Sequence, residues 1–210
     1  MQLKIRQIEQ KDIGAMVDLI HEAWFKGTYS NEAFEKAAST ISLNKALYHT
    51  TIGRVAEVDG EILGLILCAV KDQEPIYRQF QAHPLDPLIE LSSHGNNEEF
   101  DRLIETFKAE CTVYDQFLEE IDQSFDASIE YIAVSSKAQG KGIGKSLIFE
   151  SLQEFKQEAC RNLYLFTDTD CNYKFYDYLD FDRIAQSTID LPTQEGSRQR
   201  EEFMYAYSLD

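Results

Sequence analysis

The segment from Ile62 to Val70 constrains the fold more than any other part of the sequence. It reads ILGLILCAV, so a strand formed here is apolar on both of its faces. Such a strand has to be covered on both sides, as the central strands of layered α/β sheets are. Asp59-Gly60 joins it to a β-rich run at 54–58, and these two residues tolerate the positive φ angles of a type I′ turn. We therefore predict a hairpin at the centre of a sheet with helices on both faces.

Strand and helix patterns alternate along the rest of the chain. A strand at 3–8 and a helix at 13–24 come first, and Ser30 or Asn31 then caps a second helix. The last third predicts, in order, a strand at 129–134, a helix at 145–159, a strand at 163–166, a short helix at 173–178, and strands at 183–189 and 203–208. This alternation is typical of an α/β fold. With 210 residues, we expect a single domain at 1–210, enlarged by an inserted loop and long helix at about 71–127.

The inserted segment has two parts. Three prolines at 75, 84 and 87 and the sequence SSHG at 92–95 predict an irregular connection. From Phe100 to Ile121, apolar residues recur at spacings of 4 and 3, which predicts a long amphipathic helix with Glu98 and Glu99 at its positive N-terminal end. The helix lies either on its own domain or against a twin in a homodimer. Both alternatives predict that Leu118 is shielded.

A glycine-rich turn, QGKGIGK at 139–145, stands between a strand and an amphipathic helix. Unpaired backbone N–H groups and the positive end of the helix dipole meet at such a position, which favours an anion. The turn is neither a Walker loop, which requires glycine where Gln139 stands, nor a dinucleotide fingerprint, which requires glycine where Lys145 stands. The glycines do allow phosphate oxygens to approach the backbone.

The pattern Q-x-x-G-x-G at 139–144, preceded by the strand IEYIAV at 129–134, resembles the acetyl-CoA-binding motif of the GNAT superfamily of N-acetyltransferases. About thirty residues later, NYKFYDYLDF at 172–181 is similar to a second motif of that superfamily, with Asp180 in place of the usual glycine. Aspartate also enters left-handed turns, so this departure is mild. The resemblance covers 129–181 and implies a mixed, mostly antiparallel central sheet with helices on both faces.

The resemblance also implies a reaction, in which an amine attacks the thioester of the cosubstrate acetyl-CoA directly. Tyr176 occupies the general-acid position, and a phenol with an ordinary pKa of ~10 is protonated at neutral pH. Packing is the alternative role for Tyr176, and Tyr173 is close enough on a helix to share its face. The resemblance implies that the loop amides bind the CoA pyrophosphate and that main-chain groups near Ala133 and Val134 bind the pantetheine arm. Asn172 would add a side-chain hydrogen bond to the cofactor; its alternative role is to cap a helix, and both roles could coexist. The implied cofactor-binding residues are Ala133, Val134, Gln139, Gly140, Lys141, Gly142, Ile143, Gly144, Lys145 and Asn172.

The general base is sought on the strand before the glycine turn. A period of two places Ser128, Glu130, Ile132 and Val134 on one face. Glu130, with Asp126 just outside the strand, could therefore reach the amine directly or through water, although a solvated carboxylate is the alternative. The four histidines show no metal-ligand spacing and the four cysteines form no C-x-x-C pair, so we expect no metal and free thiols.

The charge of the chain limits its partners. Lys plus Arg is 20 and Asp plus Glu is 37, which gives a net charge of −17. That field repels nucleic acid and anionic membranes. No apolar signal segment begins the sequence, so we expect a cytoplasmic protein. Ten acids between 98 and 126 should line the acceptor side and steer a cationic amine inward, unless they serve only solubility. The ten are Glu98, Glu99, Asp101, Glu105, Glu110, Asp115, Glu119, Glu120, Asp122 and Asp126.

These features lead to one expected function and one alternative. The expected function is transfer of the acetyl group of acetyl-CoA to a primary amine of a small molecule or peptide, by Tyr176 and Glu130. The alternative is a non-catalytic module of the same fold that binds acetyl-CoA or a partner without turnover.

Overall fold

The computed structural model describes residues 2–209, so Met1 and Asp210 of the predicted 1–210 domain lie outside the described residues. Seven strands form one sheet in the order β1-β2-β3-β4-β5-β7-β6. Their bounds are β1 Leu3–Gln7, β2 Ile52–Val58, β3 Glu61–Val70, β4 Ala127–Val134, β5 Asn162–Asp168, β6 Asp182–Thr193 and β7 Gly196–Ser208. Neighbouring strands are antiparallel except for the parallel pair β4 and β5. The predicted mixed, mostly antiparallel sheet is confirmed.

Helices cover both faces of this sheet. Their bounds are α1 Ile13–Ile20, α2 Glu32–His49, α3 Leu85–His94, α4 Asn97–Glu120, α5 Ile143–Gln157 and α6 Lys174–Tyr178, with 3-10 turns at Gln10–Asp12, Arg78–Phe80 and Ser136–Ala138 and a π-helical segment at His21–Phe25. One hydrophobic cluster joins α1, α2 and the first half of α4 to the sheet, and another joins α5 and α6 to the opposite face. Asn31 caps α2 as predicted, since its Oδ1 accepts a hydrogen bond from the Ala33 N–H at 2.8 Å.

The central hairpin is confirmed. Asp59 and Gly60 have φ angles of 51° and 89°, as a type I′ turn requires. β3 lies between β2 and β4, and its side chains alternate between the two clusters. Leu65 and Leu67 face α1 and α2, whereas Ile66 and Cys68 face α5. All four are completely buried.

The prediction of an irregular connection after residue 71 is wrong over part of that segment, because residues Leu85–His94 form the helix α3. Pro84 is the residue before its first turn and Pro87 is its third residue. The first N–H groups of a helix have no intrahelical partner, so proline is tolerated there. The two prolines that suggested irregularity are therefore compatible with the helix.

The long helix is confirmed, but its buried stripe is displaced by one position. α4 begins with a capping box in which the Asn96 side chain accepts from the Glu99 N–H at 2.9 Å. Leu103, Val113 and Phe117 are the buried apolar residues, and Leu118 is 40% exposed. The second half of α4 packs through Val113 and Phe117 on Met204 of β7. The helix thus lies on its own sheet, and the prediction that the domain itself shields Leu118 is wrong.

The last hairpin is longer than the apolar pattern predicts. β6 and β7 pair from Asp182 opposite Ala206 to Thr193 opposite Gly196. β7 begins seven residues before Phe203, because a polar stretch that contains Arg200 and Glu202 is part of the strand. Both of those charged residues are buried. Across residues 2–209, the structure contains no helix that is long and apolar enough to cross a membrane.

Candidate functional site

A gap opens between β4 and β5. The two strands pair at Ala127, Ser128 and Ile129 and then diverge. Beyond this point β4 still pairs with β3, and β5 still pairs with β7. Successive residues of a strand direct their backbone groups to opposite edges, so the stretch 130–134 presents unpaired N–H and C=O groups to the gap. The gap is part of a cleft of about 1890 Å³ that extends to α2 and α4.

A β-bulge lies where the strands separate. Leu67 of β3 pairs with Tyr131, and Cys68 pairs with Ile129, so Glu130 is the extra residue of β4. The bulge reverses the alternation of faces, which puts Ile132 and Val134 on the α5 side with Ile129. The predicted common face of Ser128, Glu130, Ile132 and Val134 is therefore wrong. Ser128 and Glu130 do stay together, because the Ser128 Oγ donates a hydrogen bond to the Glu130 carboxylate.

The glycine turn presents several backbone N–H groups to the same cleft. Gly140 and Gly142 have φ angles of 74° and 77°, a conformation that glycine adopts without steric cost. The first intrahelical hydrogen bond of α5 runs from the Ser146 N–H to the Gly142 C=O at 2.9 Å. The three preceding amides, of Ile143, Gly144 and Lys145, are thus the unpaired donors of a 15-residue helix. Together with the helix dipole they form an anion site.

The lysines of the turn differ in their contacts. Lys137 forms an ion pair with Glu61 at 2.7 Å, and Lys141 Nζ donates to the Lys137 carbonyl at 2.8 Å. Lys145 lies 5.4 Å above the rings of both Phe149 and Tyr178. Lys141 is the one predicted cofactor residue outside the cleft lining, and the other nine line the cleft, as do Tyr176 and Glu130.

Tyr176 lies in α6 at the wall of the cleft. It is 7% exposed, its ring packs on Phe181 and Tyr205, and its hydroxyl has no hydrogen-bond partner within residues 2–209. Burial, and then the proximity of Cys171 and Asp168, raise the pKa of this phenol well above its usual value, so it keeps its proton. Tyr173 instead contacts Phe203 at a ring distance of 5.0 Å and does not line the cleft.

Asn172 is exposed at the cleft, two residues before the first residue of α6, Lys174. The structure does not support its alternative role as a helix cap, because Tyr173 holds the N-cap position of α6 and no side chain forms a capping hydrogen bond there. The Asn172 amide therefore remains available to a ligand.

Glu22 is a site residue that the sequence did not indicate. It lies in the π-helical segment, a distortion that is frequent at functional sites. Its carboxylate accepts the Ser135 hydroxyl at 3.0 Å and the Ser136 N–H at 2.8 Å, and these bonds, chiefly those to Ser136, lower its pKa. Glu22 thereby attaches the π-helical segment to the two residues that follow β4, shortly before the glycine turn. On an amphipathic helix it is not distinguishable in sequence from any other polar residue.

A buried charged network lies at the opposite end of the cleft. Arg200 donates to Glu202 and to Glu110 of α4, each at 2.6 Å, and Tyr114 donates to Glu202 at 3.0 Å. Burial raises the pKa of Glu202 to about 7, although Arg200 opposes the shift. Arg200, Glu110 and Tyr114 line the cleft. The network binds the middle of α4 to β7.

The acids of the inserted segment do not surround the cleft as predicted. Of the ten between 98 and 126, Glu110 and Asp115 line it. Glu99 caps α4, and Asp126 accepts the Arg161 N–H at 2.8 Å outside the cleft. The charge-based expectation of a cationic acceptor loses its basis, because most of these carboxylates face elsewhere.

The described part of the chain contains no group of three or more His, Cys, Asp or Glu side chains that could hold a metal ion. The four cysteines are free, as predicted. Cys171 lies in the cleft, where its thiol donates a hydrogen bond to the Asp168 carboxylate at 3.5 Å. Burial raises the pKa of the Cys171 thiol to about 12. It is therefore a thiol rather than a nucleophilic thiolate.

Comparison with known proteins agrees with the geometry. Residues 108–181 match the model of the acetyltransferase (GNAT) family. This span contains β4, the glycine turn, α5, β5 and α6, and it confirms the resemblance found in the sequence. No curated protein matches the chain.

Solved structures share the fold at low identity. The ribosomal-protein-S18-alanine N-acetyltransferase from Escherichia coli is 15% identical, with a TM-score of 0.58 over 100% of this chain and 95% of that one. An N-acetyltransferase from Staphylococcus aureus Mu50 is 16% identical, with a TM-score of 0.54 over 100% of both chains. The PaiA N-acetyltransferase from Thermoplasma acidophilum, solved with coenzyme A, is 13% identical, with a TM-score of 0.54 over 99% of both.

Proposed function

We propose that this protein, whose residues 108–181 form a GNAT family segment, transfers the acetyl group of acetyl-CoA to a primary amine of a small molecule or peptide. One observation carries the proposal. The open edge of β4 at 130–134, the free amides at 143–145 and the protonated hydroxyl of Tyr176 all belong to one cleft. An anion site, an extended groove of backbone groups and an acid suit the binding of acetyl-CoA and the attack of an amine on its thioester.

In the proposed complex the CoA pyrophosphate binds to the amides of Ile143, Gly144 and Lys145, where the helix dipole stabilises negative charge. The pantetheine arm forms hydrogen bonds with the free edge of β4 around Ala133 and Val134, as an added strand would. Asn172 supplies a further hydrogen bond from the other side of the gap. Lys145 adds a positive charge near the pyrophosphate.

Tyr176 acts as the general acid in this proposal. When the amine attacks the thioester carbonyl, the C–S bond breaks and the CoA sulfur receives the phenolic proton. Burial raises the pKa of Tyr176, which keeps it protonated but also makes it a weaker acid. The leaving thiolate forms in the same cleft and is desolvated as well, so its proton affinity rises with that of the phenol.

Glu130 acts as the general base and removes the proton of the attacking ammonium or amine. The bulge separates it from the face of Ile132. Burial, and then the charge of Glu130, raise the pKa of Tyr164, which packs in the same cluster as Val113 and Phe117 of α4. The carboxylate already accepts a hydrogen bond from Ser128, which fixes its orientation. A base on the wall between the acetyl-CoA groove and the space near α4 is suited to an amine that enters from α4.

The test is an assay of CoA release with acetyl-CoA and a panel of amines, including amino acids, polyamines, aminoglycosides and lysine-containing peptides. We expect an acetylated product, identified by mass, with at least one of them. Tight CoA binding with no transfer to any amine would instead support the non-catalytic module, and absence of CoA binding would contradict both.

A further inference from the structure

Arg102 of α4 is a mostly buried cation that donates no side-chain hydrogen bond to the described part of the chain. Its side chain is 15% exposed and lines the cleft. Its Nη2 is fully buried and has no partner, and no other nitrogen of this guanidinium donates a hydrogen bond within residues 2–209. The nearest carboxylate oxygen is Glu99 Oε1 at 3.9 Å, and the Tyr29 ring lies 5.2 Å below the guanidinium carbon.

Glu99 interacts with Arg102 through charge but accepts no hydrogen bond from it, since its two oxygens are directed to other donors. Oε1 accepts the Ser30 N–H at 2.8 Å, and Oε2 accepts the Asn96 N–H at 3.3 Å. These bonds hold the loop before α2 and the N-terminus of α4. At 3.9 Å the contact with Arg102 is too long for a hydrogen bond.

Other arginines of similar burial show what is missing. Arg6, which is 12% exposed, donates to Asp12 at 2.7 and 2.9 Å. Arg200, which is 8% exposed, donates to Glu202 and Glu110 at 2.6 Å. Arg54, which is 15% exposed like Arg102, donates to Glu154. Each has a carboxylate within hydrogen-bond distance, whereas Arg102 has none among the residues that the structure describes. Buried guanidinium donors are normally satisfied, so a carboxylate from outside the chain fits the vacant donors.

We propose that Arg102 binds a carboxylate of the acceptor, so that the acceptor is a small amino acid-like molecule with an amine and an acidic group. This deepens the proposed function and rests on it. Because Nη2 is fully buried, a carboxylate in the cleft would accept a hydrogen bond from Nε or Nη1 of the guanidinium, which the Tyr29 ring flanks at 5.2 Å. Trp24, Phe25 and Phe107 line the cleft nearby and favour an apolar or aromatic body between the two charged groups. The acceptor class therefore differs from the cationic amine that net charge alone suggests.

The test measures binding, so it does not depend on turnover. Calorimetry would compare phenylacetate, 3-phenylpropionate and 4-phenylbutyrate with their carboxamides, on the CoA-loaded wild type and on variants. We expect the wild type to bind at least one carboxylate roughly 10- to 100-fold more tightly than its amide, the effect of a charge-assisted pair. Arg102→Gln should remove this preference, and Arg102→Lys should retain part of it.

Arg198→Gln is the matched control, because Arg198 also lines the cleft but already pairs with Asp170. It makes the same change in net charge and should leave the preference intact. Equal binding of acid and amide by the wild type, no binding of any acid at millimolar concentration, or a preference that survives Arg102→Gln would overturn the proposal. The stabilisation by CoA, measured on the same samples, reports separately on the transferase proposal and on the folding of each variant.

Discussion

The two ends of the cleft are built from different parts of the chain. At the glycine turn, the groups offered to a ligand are main-chain amides at 143–145 and the free edge of β4 at 130–134. Between α2 and α4, the groups offered are side chains, among them Arg102, Glu110 and Tyr114. The first end depends on backbone conformation that a few glycines allow. The second depends on how α4 packs on a sheet that is distant in sequence, so the two ends should respond differently to substitution.

The largest effect is expected where α4 packs. Phe117 is 3% exposed and lies against Phe166 and Met204, so Phe117→Ala should lower the free energy of unfolding by ~3–5 kcal/mol. The adjacent Leu118 is 40% exposed, and Leu118→Ala should cost less than ~0.5 kcal/mol. Urea denaturation measures both. Equal losses would mean that α4 does not contact the sheet through the Val113 and Phe117 side.

The next effect separates the acid from the tyrosine beside it. Tyr176→Phe should lower kcat by ~10²-fold or more, the usual effect of losing a general acid, with CoA affinity nearly constant. Tyr173→Phe is the control, because Tyr173 packs on Phe203 outside the cleft lining. The measurement is steady-state kinetics on the acceptor that the amine panel identifies. Similar losses in both variants would remove Tyr176 from the proposed role.

A smaller effect concerns the charged network under α4. Burial raises the pKa of Glu202 from an ordinary 4.5 to about 7, so between these values the native state holds a proton that the unfolded chain has lost. The free energy of unfolding should therefore fall as pH rises through this window, by at most ~1.4 kcal/mol per pH unit. Glu202→Gln should remove that part of the slope. The exposed neighbour Glu201 is the control, and Glu201→Gln should keep the slope.

If urea denaturation between pH 4.5 and pH 8 gives the same slope for the wild type and for Glu202→Gln, Glu202 is ionised throughout the window. In that case Arg200 dominates its environment, and burial is not the controlling effect.

The same contrast explains what the sequence could predict. The Asp59-Gly60 turn and the glycine turn each depend on a few adjacent residues with a special backbone conformation, so both were predicted at the correct positions. The bulge at Glu130 depends on register with β3, which no local pattern records. In the sequence, Arg200 and Glu202 have the pattern of solvent-exposed residues. Their burial depends on the pairing of Arg200 with Glu110, which is 90 residues away, and no local pattern indicates that pairing. Side-chain sites formed by distant segments therefore required the structure.

The central claim is that a backbone site at the glycine turn binds CoA, and ligand-induced stabilisation tests it most directly. CoA at one hundred times its dissociation constant should stabilise the wild type by ~2.7 kcal/mol, seen as a rise in Tm. Gly142→Val should abolish the rise, because its side chain would point into the open space proposed for the phosphates, where a Cβ meets nothing within 4 Å. Gly60→Val is the matched control for backbone strain, with φ of 89° against 77°, and should keep the rise. No rise for the wild type at millimolar CoA, or a full rise for Gly142→Val, would contradict the account.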